Sequence, residues 1–280
     1  MKEFFKTPYL LLAIAAALTT IHFQLLDRIN HQGPFLETAL MCWAAAWFLG
    51  WRKRHDLRLK SNATASAIGL VLIAWLLFRS LNFAEYDAFL RFFPLLSGVS
   101  VALLASGFAL KPYWRELAAL GFMVIPSTSL LSVTDISPFT AEFSGSLLWY
   151  TGFRVVQEGV MLHLPSGSVE VYQGCSGIQL IWQHISLGFL FLLLFPIGKI
   201  RSLVVIIAGM SIAFVVNGIR VALMAILVDQ NNREAFDYWH LGTGSLIFSM
   251  ISVSLFGLLC YVLLEQADRA AEEEEEEAQA

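Results

Sequence analysis

Charge is scarce in this chain: of 280 residues only 14% are Asp, Glu, Lys or Arg, while 57% are hydrophobic. A soluble globular domain carries about 25% charged residues, so most of this length is unsuited to a water-exposed surface. Cysteine is scarce as well. Three thiols build no disulfide framework, and Cys42 and Cys260 fall inside apolar stretches, where a small buried hydrophobe accounts for them. The net charge of −4 offers no basic surface for a nucleic acid. The two halves of the chain do not repeat one another, as the halves of many transporters do.

What the chain has instead is apolar blocks of about twenty residues, the length that crosses ~30 Å of hydrocarbon as a helix. They run over 8–26, 35–51, 63–81, 92–110, 116–133, 176–195, 203–228 and 242–264. The fold class is therefore an all-α polytopic membrane protein of about eight transmembrane helices. The expected organisation is N-terminal spans over 1–133, an extracytoplasmic segment over 134–175, three C-terminal spans over 176–264, and an acidic disordered tail over 265–280.

Lysine and arginine are retained in the cytoplasm during insertion, so their distribution sets the orientation. With the N-terminus inside, the inner segments hold Lys2, Lys6, Arg52, Lys53, Arg54, Arg58, Lys60, Lys111, Arg115, Lys199, Arg201 and Arg269. The outer segments hold Arg28, Arg79, Arg91, Arg154 and Arg233, which leaves Arg220 alone within a span. This bias places both termini inside and the 134–175 segment outside. An alternative in which 8–26 is a cleaved signal peptide leaves seven spans and the same orientation. The glutamate run at 272–277 reads as a solvated tail, with electrostatic docking as its other possible role.

The 134–175 segment has its own order. Its first part, 139–153, mixes Phe, Leu, Trp149 and Tyr150 with Glu142, Ser144 and Gly145, which suits a short amphipathic helix in the membrane interface. Its second part reads as a β-hairpin: Val160, Leu162 and Leu164 alternate with Met161 and His163, Pro165-Ser166-Gly167-Ser168 supplies a turn, and 169–172 resumes the strand pattern. That strand leads directly to Cys175.

Gly174-Cys175-Ser176-Gly177 stands where the sixth span is expected to begin. Unpaired amides and the positive dipole end of a helix favour an anion there, and the thiolate is the nucleophilic form of cysteine. Gly174 and Gly177 would let a peptide backbone come close. Gln179 is expected one turn further on, on the thiol's face. The competing reading is a small residue at a crowded helix start. Arg220 in the seventh span is about eight residues, or roughly 12 Å, from the outer end. An arginine there costs about 2.5–3.5 kcal/mol unless it meets a partner or water, which marks it as functional, although a snorkelling anchor is the plainer role. Asn217 is placed to hydrogen-bond the guanidinium, and Gly218 to admit a neighbouring helix. His240 closes the 229–239 loop at the start of the last span, with Tyr238 and Trp239 as interfacial anchors. Its imidazole can exchange protons near neutral pH. His184 lies deeper in the sixth span, on the opposite face, where packing or a polar contact explains it.

Three blocks then make a pattern: Cys-Ser-Gly-Ile at 175–178, Asn-Gly-Ile-Arg at 217–220, and His240 followed by Gly-Ser-Leu-Ile-Phe at 244–248. In order and spacing they resemble the signature of the exosortase/archaeosortase family, over about residues 145–260. The length, and the lack of a soluble domain after the last span, are similar to those of its compact members, including cyanobacterial ones. The resemblance implies that Cys175 is the nucleophile, Arg220 the cation that stabilises the oxyanion, and His240 the acid/base. It implies a thiol protease or transpeptidase in the cell's inner membrane, with its site on the extracytoplasmic side. Its partners would be exported proteins ending in a short motif such as Pro-Glu-Pro, a transmembrane helix and a basic tail. Neither a metal nor a cofactor is implied. Two other readings remain open from the residues: a transporter or channel with an intramembrane arginine, and a metal site on Cys175 and His240, which offers only two good ligands.

Overall fold

The computed structural model describes residues 7–28, 34–54, 60–82, 88–125, 135–240 and 242–279. Its helices follow the apolar blocks: α1 (Thr7–Arg28), α2 (Pro34–Arg52), α3 (Ala63–Leu81), α4 (Ala88–Ser106), α5 (Trp114–Gly121), α6 (Ser137–Tyr150), α7 (Ile178–Leu194), α8 (Lys199–Asp229), α9 (Arg233–His240) and α10 (Gly244–Gln279). Three short strands lie between α6 and α7. They are β1 (Val156–Glu158), β2 (Met161–Leu164) and β3 (Gly167–Glu170). The protein is an all-α, multi-pass membrane protein with one small sheet.

Five helices, α1, α3, α4, α8 and α10, are long and apolar enough to cross a membrane, and α7 is apolar but only 17 residues long. The other two expected spans differ. Glu37, Arg52 and three tryptophans make α2 less apolar despite its 19 residues. The span expected over 116–133 begins as the eight-residue α5 and a single 3-10 turn, Phe122–Val124, and its remainder at 126–134 lies outside the described residues. Arg58 and the lysines at 2 and 6, counted in the charge bias, also lie outside them.

The chain divides into two units, Met1–Pro126 and Ser127–Ala280. In the first, α4 is central, packing on α1, α3 and α5. Gly69 of α3 sits against α4, where a Cβ would come 3.0 Å from the Ser100 carbonyl oxygen. His22 of α1 is fully buried, stacked on Phe93, and its polar atoms are satisfied: Nε2 donates to the Leu90 carbonyl at 3.1 Å and Nδ1 accepts from the Trp43 indole at 3.1 Å.

In the second unit, α8 is the axis against which α6, α7, α9, α10 and β3 pack. The face of α6 made by Thr140, Ala141, Ser144, Gly145 and Leu148 is buried, while Phe139, Trp149 and Tyr150 stay exposed. The sheet is antiparallel in the order β1-β2-β3, with Leu162 opposite Val169 and His163 opposite Ser168. The hairpin is thus where the alternation puts it, and β1 is an additional strand. It joins β2 through a tight turn in which Gly159 has φ +60, a conformation that favours glycine. Leu162, Leu164 and Val171 enter one apolar cluster with Ala141, Leu148, Val221, Ala222 and Ala225. The hairpin tip is tied to the end of α8: the Ser166 N–H donates to Asp229 Oδ1 at 2.9 Å, and Gly167 has no room for a Cβ, which would lie 2.6 Å from Val228.

One expectation about a loop is corrected here. The 229–239 stretch is largely helical, as α9, opened by Asn232 whose side chain accepts the Ala235 N–H at 3.1 Å. Over the segment expected as an acidic tail, α10 runs on from Gly244 to Gln279. Alanine and glutamate are good helix formers, and a helix already nucleated in the apolar segment extends through them cheaply.

Candidate active site

The sulfur of Cys175 stands between the end of β3 and the start of α7. A 3-10 turn, Gln173–Cys175, carries it, with the Cys175 N–H donating to the Tyr172 carbonyl at 2.8 Å and the Ser176 N–H to that of Gln173 at 3.3 Å. Gly177, at φ +86, then caps α7, which starts at Ile178. The thiol therefore precedes the helix rather than sitting on its first turn, and its own amide is already used. The expected activation by free helix amides does not apply in that form. Gln179 is exposed on α7 and makes no hydrogen bond to the sulfur.

The turn is held from two sides. Asn217 of α8 donates from Nδ2 to the Cys175 carbonyl at 2.8 Å, and Thr140 of α6 donates to the Ser176 carbonyl at 2.8 Å. Asn217 is nine-tenths buried or more, and Thr140 fully so. Gly177 lies so close to Asn217 that a Cβ would come within 2.6 Å of Nδ2, and its positive φ adds a second reason for glycine. Asn217 thus fixes the cysteine turn, not the guanidinium as its spacing suggests. Ser144 of α6 donates to the Gly218 carbonyl at 2.9 Å and, with Phe143 against the bare Cα of Gly218, clamps the same stretch of α8.

One turn beyond Asn217, Arg220 reaches to α9 and donates from Nη2 to the His240 carbonyl at 3.0 Å. Its Nε–H is buried without a partner. That donor is an unused hydrogen-bonding group, and a buried unpaired donor costs about 1–3 kcal/mol. His240 ends α9, four residues before α10 begins, and its Nε2 lies 3.4 Å from Cys175 Sγ. Behind it, Phe236 stacks obliquely with ring centroids 5.0 Å apart. The glycines after it also have a reason: at Gly244 a Cβ would meet Tyr238 at 2.6 Å and Trp239 at 2.9 Å, so α9 and α10 close tightly. Trp239 in turn meets Phe248 edge-on, at 5.6 Å between centroids.

Cys175, Arg220 and His240, 65 residues apart at the extremes, are thereby brought together, with Gly174, Gly177 and Asn217 around them. Burial holds the His240 pKa below its ordinary value, the Arg220 charge adds to this, and Asp237 opposes both. The imidazole is neutral near pH 7, with Nε2 free to accept the proton of the thiol. Sequence reasoning passed over Tyr172, whose ring lies against the bare Cα of Gly174. It also passed over Thr140 and Ser144, for which a buried polar face on an otherwise apolar α6 is the only sequence signal. His184 belongs elsewhere: its Nδ1 donates to the Leu180 carbonyl at 2.9 Å and its Nε2 accepts from Ser252 of α10 at 3.0 Å. Among the described residues no three His, Cys, Asp or Glu side chains group as a metal site would require.

A comparison with known families matches residues 32–257 to the model of the transmembrane exosortases. The match covers most of the chain and every residue of the site described above. No curated protein and no solved structure matches the chain.

Proposed function

Since the chain belongs to the transmembrane exosortase family, membrane-embedded cysteine peptidases or transpeptidases that process sorting signals, we propose that Cys175, Arg220 and His240 carry this chemistry through a thioester acyl-enzyme. The observation that supports it most is the 3.4 Å approach of Cys175 Sγ to a neutral His240 Nε2, next to an Arg220 whose Nε–H has no partner.

His240 Nε2 takes the thiol proton, and the sulfur attacks the scissile carbonyl carbon. As the C–S bond forms, the carbonyl π electrons move to oxygen, and the Arg220 Nε–H donates to that oxyanion. The imidazolium gives its proton to the leaving amide nitrogen as the C–N bond breaks. A thioester on Cys175 remains, and an amine acceptor or water attacks it while His240 again takes the proton. Arg220 has a second task. By holding the His240 carbonyl it fixes the end of α9, and with it the distance from imidazole to sulfur.

The substrates are exported proteins whose C-termini carry a short motif, a transmembrane helix and a basic tail. The helix would lie beside α7, α8 and α10 and present its outer end to the thiol. The excess of Lys and Arg on the inner segments supports an inner-membrane protein with the site on the extracytoplasmic side. Processing of a tagged substrate tests the reading: Cys175→Ala abolishes it, while Cys42→Ala and Cys260→Ala, both within helices and both buried, leave it nearly intact. Processing at the normal rate by Cys175→Ala would overturn the covalent mechanism.

A further inference from the structure

The strand that leads to the thiol has an open edge. The Val171 N–H donates to the Val160 carbonyl at 2.9 Å, and the register sets Val169 opposite Leu162 and Gly167 opposite Leu164. Along an antiparallel strand the N–H and C=O of successive residues point to opposite edges. Those of residues 167, 169 and 171 therefore face β2, and those of Ser168 and Glu170 face away from it. Both residues are exposed, and Tyr172 prolongs the extended backbone at φ −83, ψ 171. Among the described residues no backbone group bonds to this outer edge. The edge also has a direction. It begins beside the end of α8, where a Cβ on Gly167 would lie 2.6 Å from Val228, and the chain then runs to the cysteine turn, whose Cys175 carbonyl is held at 2.8 Å by Asn217 of the same helix. Val228 and Asn217 are roughly 16 Å apart along the helix axis. In the proposed orientation Asp229 is the outer end of α8, so β3 descends from the extracytoplasmic surface towards the thiol. The other edge strand, β1, is three residues long and follows α6 into the Gly159 turn, away from the thiol.

We propose that the free edge of β3 receives the substrate: the extended segment of an exported protein that precedes the scissile bond adds to it as a fourth strand, parallel to β3. The proposal rests on the reading of Cys175 as the nucleophile and of the substrate as a protein with a C-terminal transmembrane helix. Such a chain passes from its exported part outside to its helix in the membrane. That is the direction β3 takes, and it fixes the addition as parallel. The N–H and C=O groups of Ser168 and Glu170 bond to the substrate backbone, so affinity comes from the main chain and leaves selection to side chains at alternate positions. The residues that follow the added strand arrive at the 3-10 turn with their peptide groups extended, which brings the scissile carbonyl to Cys175. The substrate's helix then continues inward beside α7, whose first residue, Ile178, is three positions after the thiol.

Disulfide mapping tests this without turnover. Full-length enzyme with Cys42→Ala, Cys175→Ala and Cys260→Ala, and with either Ser168→Cys or Glu170→Cys, is mildly oxidised in membranes beside a tagged exported protein that the wild type processes. That protein carries one cysteine, placed in turn at each position before its cleavage site. Both enzyme variants are expected to crosslink it, and the substrate position that reacts best should lie about two residues further from the cleavage site for the 168 variant than for the 170 variant, as in a parallel pair. No crosslink, a shift in the opposite sense, crosslinks that do not depend on position, or disulfides only between two copies of the enzyme overturn the proposal. A kinetic comparison adds a second readout. Glu170→Pro removes the outward N–H, which an edge strand tolerates, whereas Glu170→Ala removes the same carboxylate and keeps the N–H. The proline variant is expected to show a kcat/KM about tenfold below that of the alanine variant, the effect of one backbone hydrogen bond; equal values overturn the proposal, and if the proline variant does not accumulate the crosslinks decide. Because the mapping uses enzyme without the thiol, its failure leaves the nucleophile untouched; that assignment fails only if Cys175→Ala still processes substrate.

Discussion

Replacing Arg220 by lysine keeps a positive charge on α8 but changes what that charge can reach. The guanidinium serves two directions at once: Nη2 holds the His240 carbonyl at 3.0 Å, and the buried Nε–H remains for the oxyanion. A lysine has one nitrogen on a flexible stem and cannot sit at both places with fixed geometry. If its ammonium takes the His240 carbonyl, the oxyanion loses its donor; if it turns to the oxyanion, the end of α9 loses its tether and the 3.4 Å contact of imidazole and sulfur loosens. Loss of one oxyanion donor costs about 2.7–4 kcal/mol, or roughly a hundred- to a thousandfold in turnover. We therefore expect Arg220→Lys to insert and accumulate normally, to crosslink substrate nearly as well as the wild type, and to cleave it at least about a hundredfold more slowly. The assay is single-turnover cleavage of a tagged substrate in membranes, with expression and crosslinking measured in the same samples. Near-normal cleavage would refute the reasoning and leave Arg220 as a structural anchor.

Further outcomes follow from the same site. The His240 pKa lies below its ordinary value of ~6.5, so the base stays neutral, and kcat/KM holds up, to a more acidic pH than a free imidazole allows. Because Asp237 is the group that raises this pKa, Asp237→Asn should move the acid limb lower still, and a pH–rate profile in which the limb rises instead would contradict the electrostatics. A membrane-impermeant thiol reagent applied to cells with a permeabilised outer barrier should label Cys175 and spare Cys42 and Cys260. Labelling of Cys175 only after the inner membrane is broken would invert the proposed orientation.

Much of the frame was legible in the sequence because a bilayer leaves so few solutions. Apolar blocks of the right length become helices, since lipid offers no partner to any other backbone. The hairpin was readable from alternation at Val160, Leu162 and Leu164, as Leu162 and Leu164 do turn inward to the apolar cluster. The β1 strand was not, because its three residues, Val156–Glu158, are all exposed and show no alternation in burial. Helix α9 was missed for a different reason. It is short and strongly amphipathic, and eight polar-rich residues between two spans look like a loop until Asn232 is recognised as its cap.

At the site, the residues that meet were readable from type and order, but not their contacts. Spacing puts Asn217 and Arg220 on one face of α8, which suggests that one supports the other. In three dimensions that face looks towards both the cysteine turn and α9, so each side chain takes its own backbone carbonyl. Gly177 was expected to admit a substrate, whereas the structure uses its missing Cβ and positive φ to admit Asn217. Tyr172 was passed over because it reads as the last residue of a strand. Only the 3-10 turn after it, with a glycine at 174, bends the chain so that the ring folds back over that turn.

The covalent acyl-enzyme is tested most directly by trapping it. Membranes carrying the enzyme and a tagged substrate are quenched in acid on the timescale of one turnover, and the enzyme is examined for a substrate fragment bound to Cys175. A fragment on that residue, released by neutral hydroxylamine, absent from Cys175→Ala and accumulating when acceptor is withheld, is the predicted result. Processing at full rate with no such adduct at any time, or an adduct on a different side chain, would contradict the account.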